Sequence, residues 1–248
     1  MNNQIPQKAK EELTSRGKLR VGVNLGNFLL VNKDPATGEL HGVVPDLAAE
    51  LARRLGTTVE LISYPGAGEV ADAATTDAWD VGFIGAEPQR ASVIEFTLAY
   101  VEIPATYLVP AGSPIRSLEE VDRPGVRVAT AARSAYDLYL SRNLKKAKIE
   151  RAPTSPAVVD YFLANKLDVA AGVKQQLEMD AKRLPGLRLL PGRFMVINQA
   201  MGMTRGKEAG AKYLTAFVEE MKASGFVADG LRRHKIEGAA VAPPGGAP

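Results

Sequence analysis

Few residues in this chain are placed to do chemistry, and the most telling is an arginine. The stretch 80–109, DVGFIGAEPQRASVIEFTLAYVEIPATYLV, holds two apolar runs, Val81–Ile84 and Ala105–Val109, and one cation between them, Arg90. Gly85 ends the first run, and Glu87, Pro88 and Gln89 lead to the arginine. A position just past a strand end is where open α/β sheets place their ligands. A planar guanidinium there can give two parallel hydrogen bonds to a carboxylate. The plainer reading is a solvated loop arginine, since most arginines are exposed. A second anion-favouring feature is Ala132-Arg133-Ser134-Ala135, which opens a helix and brings free backbone N–H groups and a positive dipole end. Ser134, with Asp137 three residues on, equally fits a simple N-cap. Asn24 and Asn27 are polar groups in a turn after the first strand, and asparagine is also an ordinary turn former.

Other chemistries find no support. The chain has 248 residues and no cysteine, so it has neither a disulfide framework nor a thiolate metal site. Its two histidines, His41 and His234, lie far apart in sequence, and no cofactor is expected. The net charge is +3 and the basic residues are dispersed, without the basic stripe or interleaved aromatics that nucleic acid demands. Hydrophobic residues make up 46% of the chain, enough for one large core or two smaller ones. No window has the length of a membrane-spanning helix. Residues 1–17 are polar, lack an apolar core segment and do not read as a secretory signal.

The elements that must hold these residues alternate. Strands are expected at Lys18–Val23, Val59–Ser63 and Val81–Ile84. Between them come a helix over DLAAELARRLG, with Gly56 as its C-terminal stop, and a helix over Glu69–Ala78. A second series has strands at Val126–Thr130, Ile149–Arg151, Leu167–Ala171 and Leu187–Leu190. Its helices start at Ser134 and Pro156 and cover VKQQLEMDAKRL. Strand–helix alternation implies parallel sheets. An extended segment at 194–206 and helices over Glu208–Ser224 and Gly225–His234 follow. The Gly/Pro/Ala-rich tail, 237–248, reads as disordered.

Taken together, these motifs resemble the family 3 extracellular solute-binding proteins of ABC transporters, the polar amino-acid-binding type. Gly17-Lys18-Leu19-Arg20-Val21-Gly22 is similar to the family's G-x-L-x-V-G opening. Gly42-Val43-Val44-Pro45-Asp46-Leu47-Ala48 is similar to G-F-D-x-D-L-A, with Val44 in place of the first aspartate. Glu87-Pro88-Gln89-Arg90 and Phe96-Thr97-Leu98-Ala99-Tyr100 stand where the family has T-P-E-R and F-S-x-P-Y.

The resemblance implies a two-lobe type II periplasmic-binding-protein fold, α/β throughout, with two crossings and a ligand cleft. Lobe 1 would be discontinuous (18–106 plus 199–236), lobe 2 would span 107–198, and 1–17 would be a polar extension. The resemblance implies that Arg90 holds the α-carboxylate of a ligand and that Ser134 and the amide of Ala135 complete the clamp. Arg133 stands where the family often has glycine, and either adds charge to the cleft or points to solvent. Glu87 replaces the usual threonine and accepts from an amine or hydroxyl or pairs with Arg90. Gln199, near the second crossing, is a hinge-side polar contact. Val173 stands where the family's aspartate meets the ligand's ammonium, and Lys174, Gln175 and Gln176 follow it. That loss favours a carboxylate without an α-amine, or an amino acid read differently.

The function implied is non-catalytic binding of a small carboxylate by a monomer, by hinge closure, for ABC-type uptake or for sensing. The permease would be its partner. The resemblance implies a periplasmic location, and a cytoplasmic one if Met1 is the native start. The alternative is a cyclohexadienyl-dehydratase-like lyase on the same fold, which needs a general acid that Glu87 alone could supply.

Overall fold

Strand and helix alternate as the apolar periodicity demands. The computed structural model describes residues 5–245. A short helix, α1 (Gln7–Leu13), precedes β1 (Leu19–Asn24), and β2 (Asn32–Lys33) and β3 (Leu40–His41) form a small antiparallel ribbon. Helix α2 (Val43–Leu55) buries Leu47, Leu51 and Leu55, spaced four apart on one stripe, and ends at Gly56, whose φ of 64° is left-handed. Next come β4 (Val59–Tyr64), α3 (Ala67–Ala73), β5 (Val81–Gly85) and β6 (Ile94–Phe96). The helix expected over Glu69–Ala78 is shorter because the chain turns after it through Asp77 at φ 54°. That turn carries Trp79 back onto the sheet, where its Nε1 donates to the Val70 carbonyl at 3.0 Å.

The indole lies on two glycines. Gly22 and Gly82 face each other as register partners in β1 and β5. A Cβ on Gly22 would sit 2.8 Å from Trp79 Cδ1, and one on Gly82 would sit 3.1 Å from the ring. The cluster around it includes Val70, Ala73, Ile84 and Ile94.

Strand β7 (Val101–Pro110) leads into the second series: β8 (Arg127–Ala131), α4 (Ala135–Asn143), β9 (Lys148–Ala152), α5 (Val158–Ala164), β10 (Val169–Val173), α6 (Lys174–Arg183) and β11 (Leu187–Leu189). Strands β10, β8 and β9 are parallel neighbours, and β7 runs antiparallel between β10 and β11. Their core gathers Tyr107, Val128, Leu140, Val169 and Leu190. Phe194 stacks on Tyr107 with ring centroids 4.4 Å apart.

The chain returns through β12 (Met195–Thr204), α7 (Glu208–Ala223), α8 (Phe226–Arg233) and β13 (Ala240–Val241). Strand β12 inserts antiparallel between β5 and β6, so the first sheet reads β4-β1-β5-β12-β6. The chain thus divides into two units. One runs to Glu102 and resumes at Asn198, and the other is Ile103–Ile197. These boundaries fall at 102/103 and 197/198, whereas the motifs suggested 106/107 and 198/199.

Two segments set aside in the sequence carry structure. Within the polar extension 1–17, α1 packs on α7, and Glu12 Oε2 accepts the Gly210 N–H at 2.8 Å. Within the tail read as disordered, β13 pairs with Val101 and Glu102 of β7. Lys222 Nζ, buried, donates to the carbonyls of Ala99 at 3.1 Å and Pro243 at 3.0 Å and pairs with Glu219. Residues 1–4 and 246–248 of those two segments lie outside the described residues.

Two outcomes follow from this packing. Gly22→Ala should cost about 1–3 kcal/mol by overpacking, measured by chemical denaturation with Trp79, the single tryptophan, as the probe. The second concerns acid. Glu50 accepts from Arg53 Nε at 2.7 Å and from Arg54 Nε at 2.8 Å, and Arg54 also grips Glu220 of α7 at 2.7 Å. The Arg53 hydrogen bond first, then that of Arg54, holds the Glu50 carboxyl down to about 2 from its ordinary 4.5. A depressed carboxyl contributes stability that is complete above 4.5 and lost as pH falls to about 2. Glu50→Gln should therefore lose less stability across that window than the parent protein in acid denaturation followed by circular dichroism.

Candidate functional site

In the first unit the candidate residues collect at the C-terminal ends of the parallel strands. Asn24 closes β1 immediately after Val23, the partner of Phe83. Its side-chain carbonyl accepts the Gly26 N–H at 2.9 Å, and the Asn27 N–H returns to the Asn24 carbonyl at 3.2 Å. The turn is thereby locked by the asparagine itself. Gly85 ends β5 and is the register partner of Gln199 in β12.

Beyond Gly85 the chain makes a tight turn. Glu87 Oε2 accepts the Gln89 N–H at 3.0 Å, and the Ala91 N–H meets the Glu87 carbonyl at 3.0 Å. That turn folds Arg90 back, so its Nη1 donates to the Gly85 carbonyl at 2.8 Å. Arg90 is 4% exposed. The solvated-loop reading of this arginine is therefore wrong: the turn over Glu87 buries it against the strand end. Glu87 and Gln199 are buried as well. Gly85, Arg90 and Gln199 are thus one local group, with Asn24 at the end of the neighbouring strand β1.

In the second unit the loop after β8 is fully specified. The Ala132 N–H donates to the Ala152 carbonyl at 2.9 Å and the Ser134 N–H to the Ala131 carbonyl at 3.2 Å. Ser134 Oγ accepts the Asp137 N–H at 3.0 Å, the expected N-cap. Asp137 answers by accepting the Arg133 N–H at 2.8 Å, and Arg151 Nε grips both its oxygens at 3.0 Å. Arg133 is exposed and has φ 60°, a left-handed conformation that glycine adopts without strain. Tyr136, in the first turn, is buried and donates to Ser155 Oγ at 3.0 Å. Burial pushes its phenol up to about 12, against the lowering hydrogen bonds of Ser155 and Ser134. The cap leaves the Ala135 N–H at the helix end, as the first turn of any helix does, and the hydroxyl proton of Ser134 can still be donated.

Lys174 opens α6 with a half-exposed side chain 3.9 Å from Glu178. It follows the end of β10, the parallel neighbour of β8, whose own end leads into the Ser134 turn. The next residue, Gln175, enters the motif reading only as one of the three that follow Val173. Gln175 is 8% exposed, and neither its Nε2 nor its Oε1 has a partner among the described residues. Nothing in its residue type signals this, because burial depends on the packing around the start of α6. Among the described residues no group of three or more His, Asp or Glu could hold a metal ion.

The family model for bacterial extracellular solute-binding proteins, family 3, matches residues 19–234. No curated protein matches. Among solved structures, an amino acid ABC transporter substrate-binding protein from Streptococcus pneumoniae bound to L-arginine is 19% identical, with a TM-score of 0.76, covering 92% of this chain and 98% of that one. An ancestral amino acid-binding protein, a precursor of cyclohexadienyl dehydratase, is 23% identical with a TM-score of 0.75 and coverage of 92% and 99%. A cysteine-binding protein from Campylobacter jejuni is 17% identical, with a TM-score of 0.75 and coverage of 91% and 94%. Likenesses at this identity establish the fold, the mixed α/β architecture of type II periplasmic binding proteins.

The cap chemistry sets an expectation for stability. Ser134→Ala should cost about 1 kcal/mol in urea unfolding, and Ser134→Asp, which keeps an acceptor for the Asp137 N–H, should recover most of it.

Proposed function

The chain belongs to the bacterial extracellular solute-binding proteins, family 3, and we propose on that premise that it binds a small carboxylate-bearing solute, an amino acid or related organic acid, by hinge closure and without catalysis. The observation that carries this reading is Arg90. A guanidinium buried at the end of β5 and oriented by the Gly85 carbonyl at 2.8 Å is held in one geometry before any ligand arrives. Pre-organisation of this kind lowers the entropy lost when a bidentate carboxylate binds. Ser134 Oγ–H and the Ala135 N–H, at the dipole end of α4, are the donors we assign to the second unit. Asn24, Asn27, Gly85, Glu87 and Gln199 would shape the ligand's surroundings in the first unit, and Arg133 and Lys174 would add positive potential in the second.

The relatives named for L-arginine and cysteine support a ligand of amino-acid size. An ABC permease is the partner that family membership suggests, with a location outside the cytoplasm and a monomeric chain. A lyase reading gains nothing from Glu87, whose Oε2 accepts the Gln89 N–H. The ancestral relative is itself described as an amino acid-binding protein.

Arg90→Ala should lower the affinity for a carboxylate ligand by about 2–5 kcal/mol, as truncation of a buried charged partner does. Arg90→Lys should recover only part of it, because a point charge cannot form the paired bonds. Isothermal titration with a ligand found by thermal-shift screening measures both, and unchanged affinity in Arg90→Ala overturns the assignment.

A further inference from the structure

The amide of Gln175, at the start of α6, is buried and has no hydrogen-bond partner among the described residues. Gln175 is the second residue of the ten-residue helix, whose N-cap, Val173, provides no side-chain acceptor. Leu177 and Asp180 form the face of α6 that packs down and is buried. Gln175 lies on another face. Met179, four residues on and on that same face, is 54% exposed. Gln175 is thus buried on a face of α6 that is exposed one turn later. Side chains in a helix tilt toward the N-terminus, so this amide is aimed past the start of α6.

A buried amide with neither donor nor acceptor satisfied is costly, and native proteins rarely keep one without a use. The surroundings on this edge of the second unit narrow that use. The first turn of α6 has no acidic residue. Lys174 stands at its start, and Glu178 lies 3.9 Å from Lys174. On the adjacent strand β8, the Ser134 turn contributes the N-terminus of α4, where Asp137 is 2% exposed and already bound by Arg151. Two helix N-termini and Lys174 make this edge positive. A cationic ammonium is disfavoured there, and an uncharged group that both gives and takes a hydrogen bond suits the Gln175 amide.

Resting on the carboxylate-binding reading above, we infer that Gln175 is a specificity-determining residue and that the solute is a carboxylate whose second polar group is neutral, a carboxamide or hydroxyl, and not an ammonium. The glutamine's Nε2 donates to that group's oxygen and its Oε1 accepts that group's proton.

The test uses the full chain and a matched set of short acids, succinamate, succinate, butyrate and γ-aminobutyrate, with their next longer homologues, in thermal-shift and titration assays. The amide should bind best and the ammonium compound worst, by about tenfold or more. Gln175→Leu should reduce the amide-over-methyl preference to about onefold. It should also raise the melting midpoint of the ligand-free protein, because a buried unpaired amide is removed. Preference for γ-aminobutyrate, an unchanged amide preference in Gln175→Leu, or a fall in its ligand-free midpoint overturns the inference. A midpoint raised by α-amino acids and by none of these acids also overturns the inference, and if neither they nor the α-amino acids raise the midpoint of the parent protein, the carboxylate reading itself fails.

Discussion

Asp80 fixes the register on which the first unit depends. It is 1% exposed and takes Arg20 Nε at 3.1 Å, Arg20 Nη2 at 2.8 Å and the Arg20 backbone N–H at 3.0 Å, while its own N–H returns to the Arg20 carbonyl at 2.9 Å. Ser15 Oγ completes the carboxylate at 3.1 Å. Asp80, through the strongest of these hydrogen bonds, drives the Arg20 guanidinium still further toward its charged form. A buried pair of this kind is weak evidence for net stability, but loss of one partner would strand a charge. Its value here is alignment. It pins the starts of β1 and β5 side by side, so their other ends, Asn24 and Gly85, emerge together. A slip of one residue would turn every side chain of β5 to the opposite face, and would take Trp79 off its glycine bed.

The second unit reaches the same end by a different route. Its loop after β8 is held by backbone pairing with β9 and by the reciprocal bonds between Ser134 and Asp137, with Arg151 neutralising the carboxylate. The carboxylate of Asp137 and the acceptor side of Ser134 are committed to structure there, while the helix-end amides and the Ser134 hydroxyl proton can still donate. That leaves a rigid cap with a few unspent donors, the arrangement in which small differences of donor and acceptor can separate one solute from another. The first unit holds a buried guanidinium at a strand end and the second holds helix N-termini, two different sources of positive potential.

Much of this was legible in the sequence because it is local. Leu47, Leu51 and Leu55 announce α2, Gly56 stops it, and Ser134 with Asp137 marks the start of α4. Arg90 was legible as a strand-end cation, although its burial was not, since that depends on the turn made by Glu87 and Gln89. The features that escaped are long-range. Nothing around Glu12 says that its carboxylate meets Gly210 nearly two hundred residues later. The sequence EGAAVAPPGGAP has the composition of a loose tail, yet Lys222 and the edge of β7 supply partners that composition cannot reveal. Gln175 is of the same kind, an ordinary helix residue until packing removes its water.

The insertion of β12 between β5 and β6 also sets an order of assembly. Residues 103–197 are contiguous and enclose their own core, so that unit can form as soon as its last strand leaves the ribosome. The first unit cannot. The strand that fills its sheet and the helix that packs on α1 both belong to the final fifty or so residues of the chain. Until they arrive, β5 and β6 flank an open slot with unpaired edges, the kind of surface that attracts other strands. The half that carries Arg90 is therefore the last to be completed.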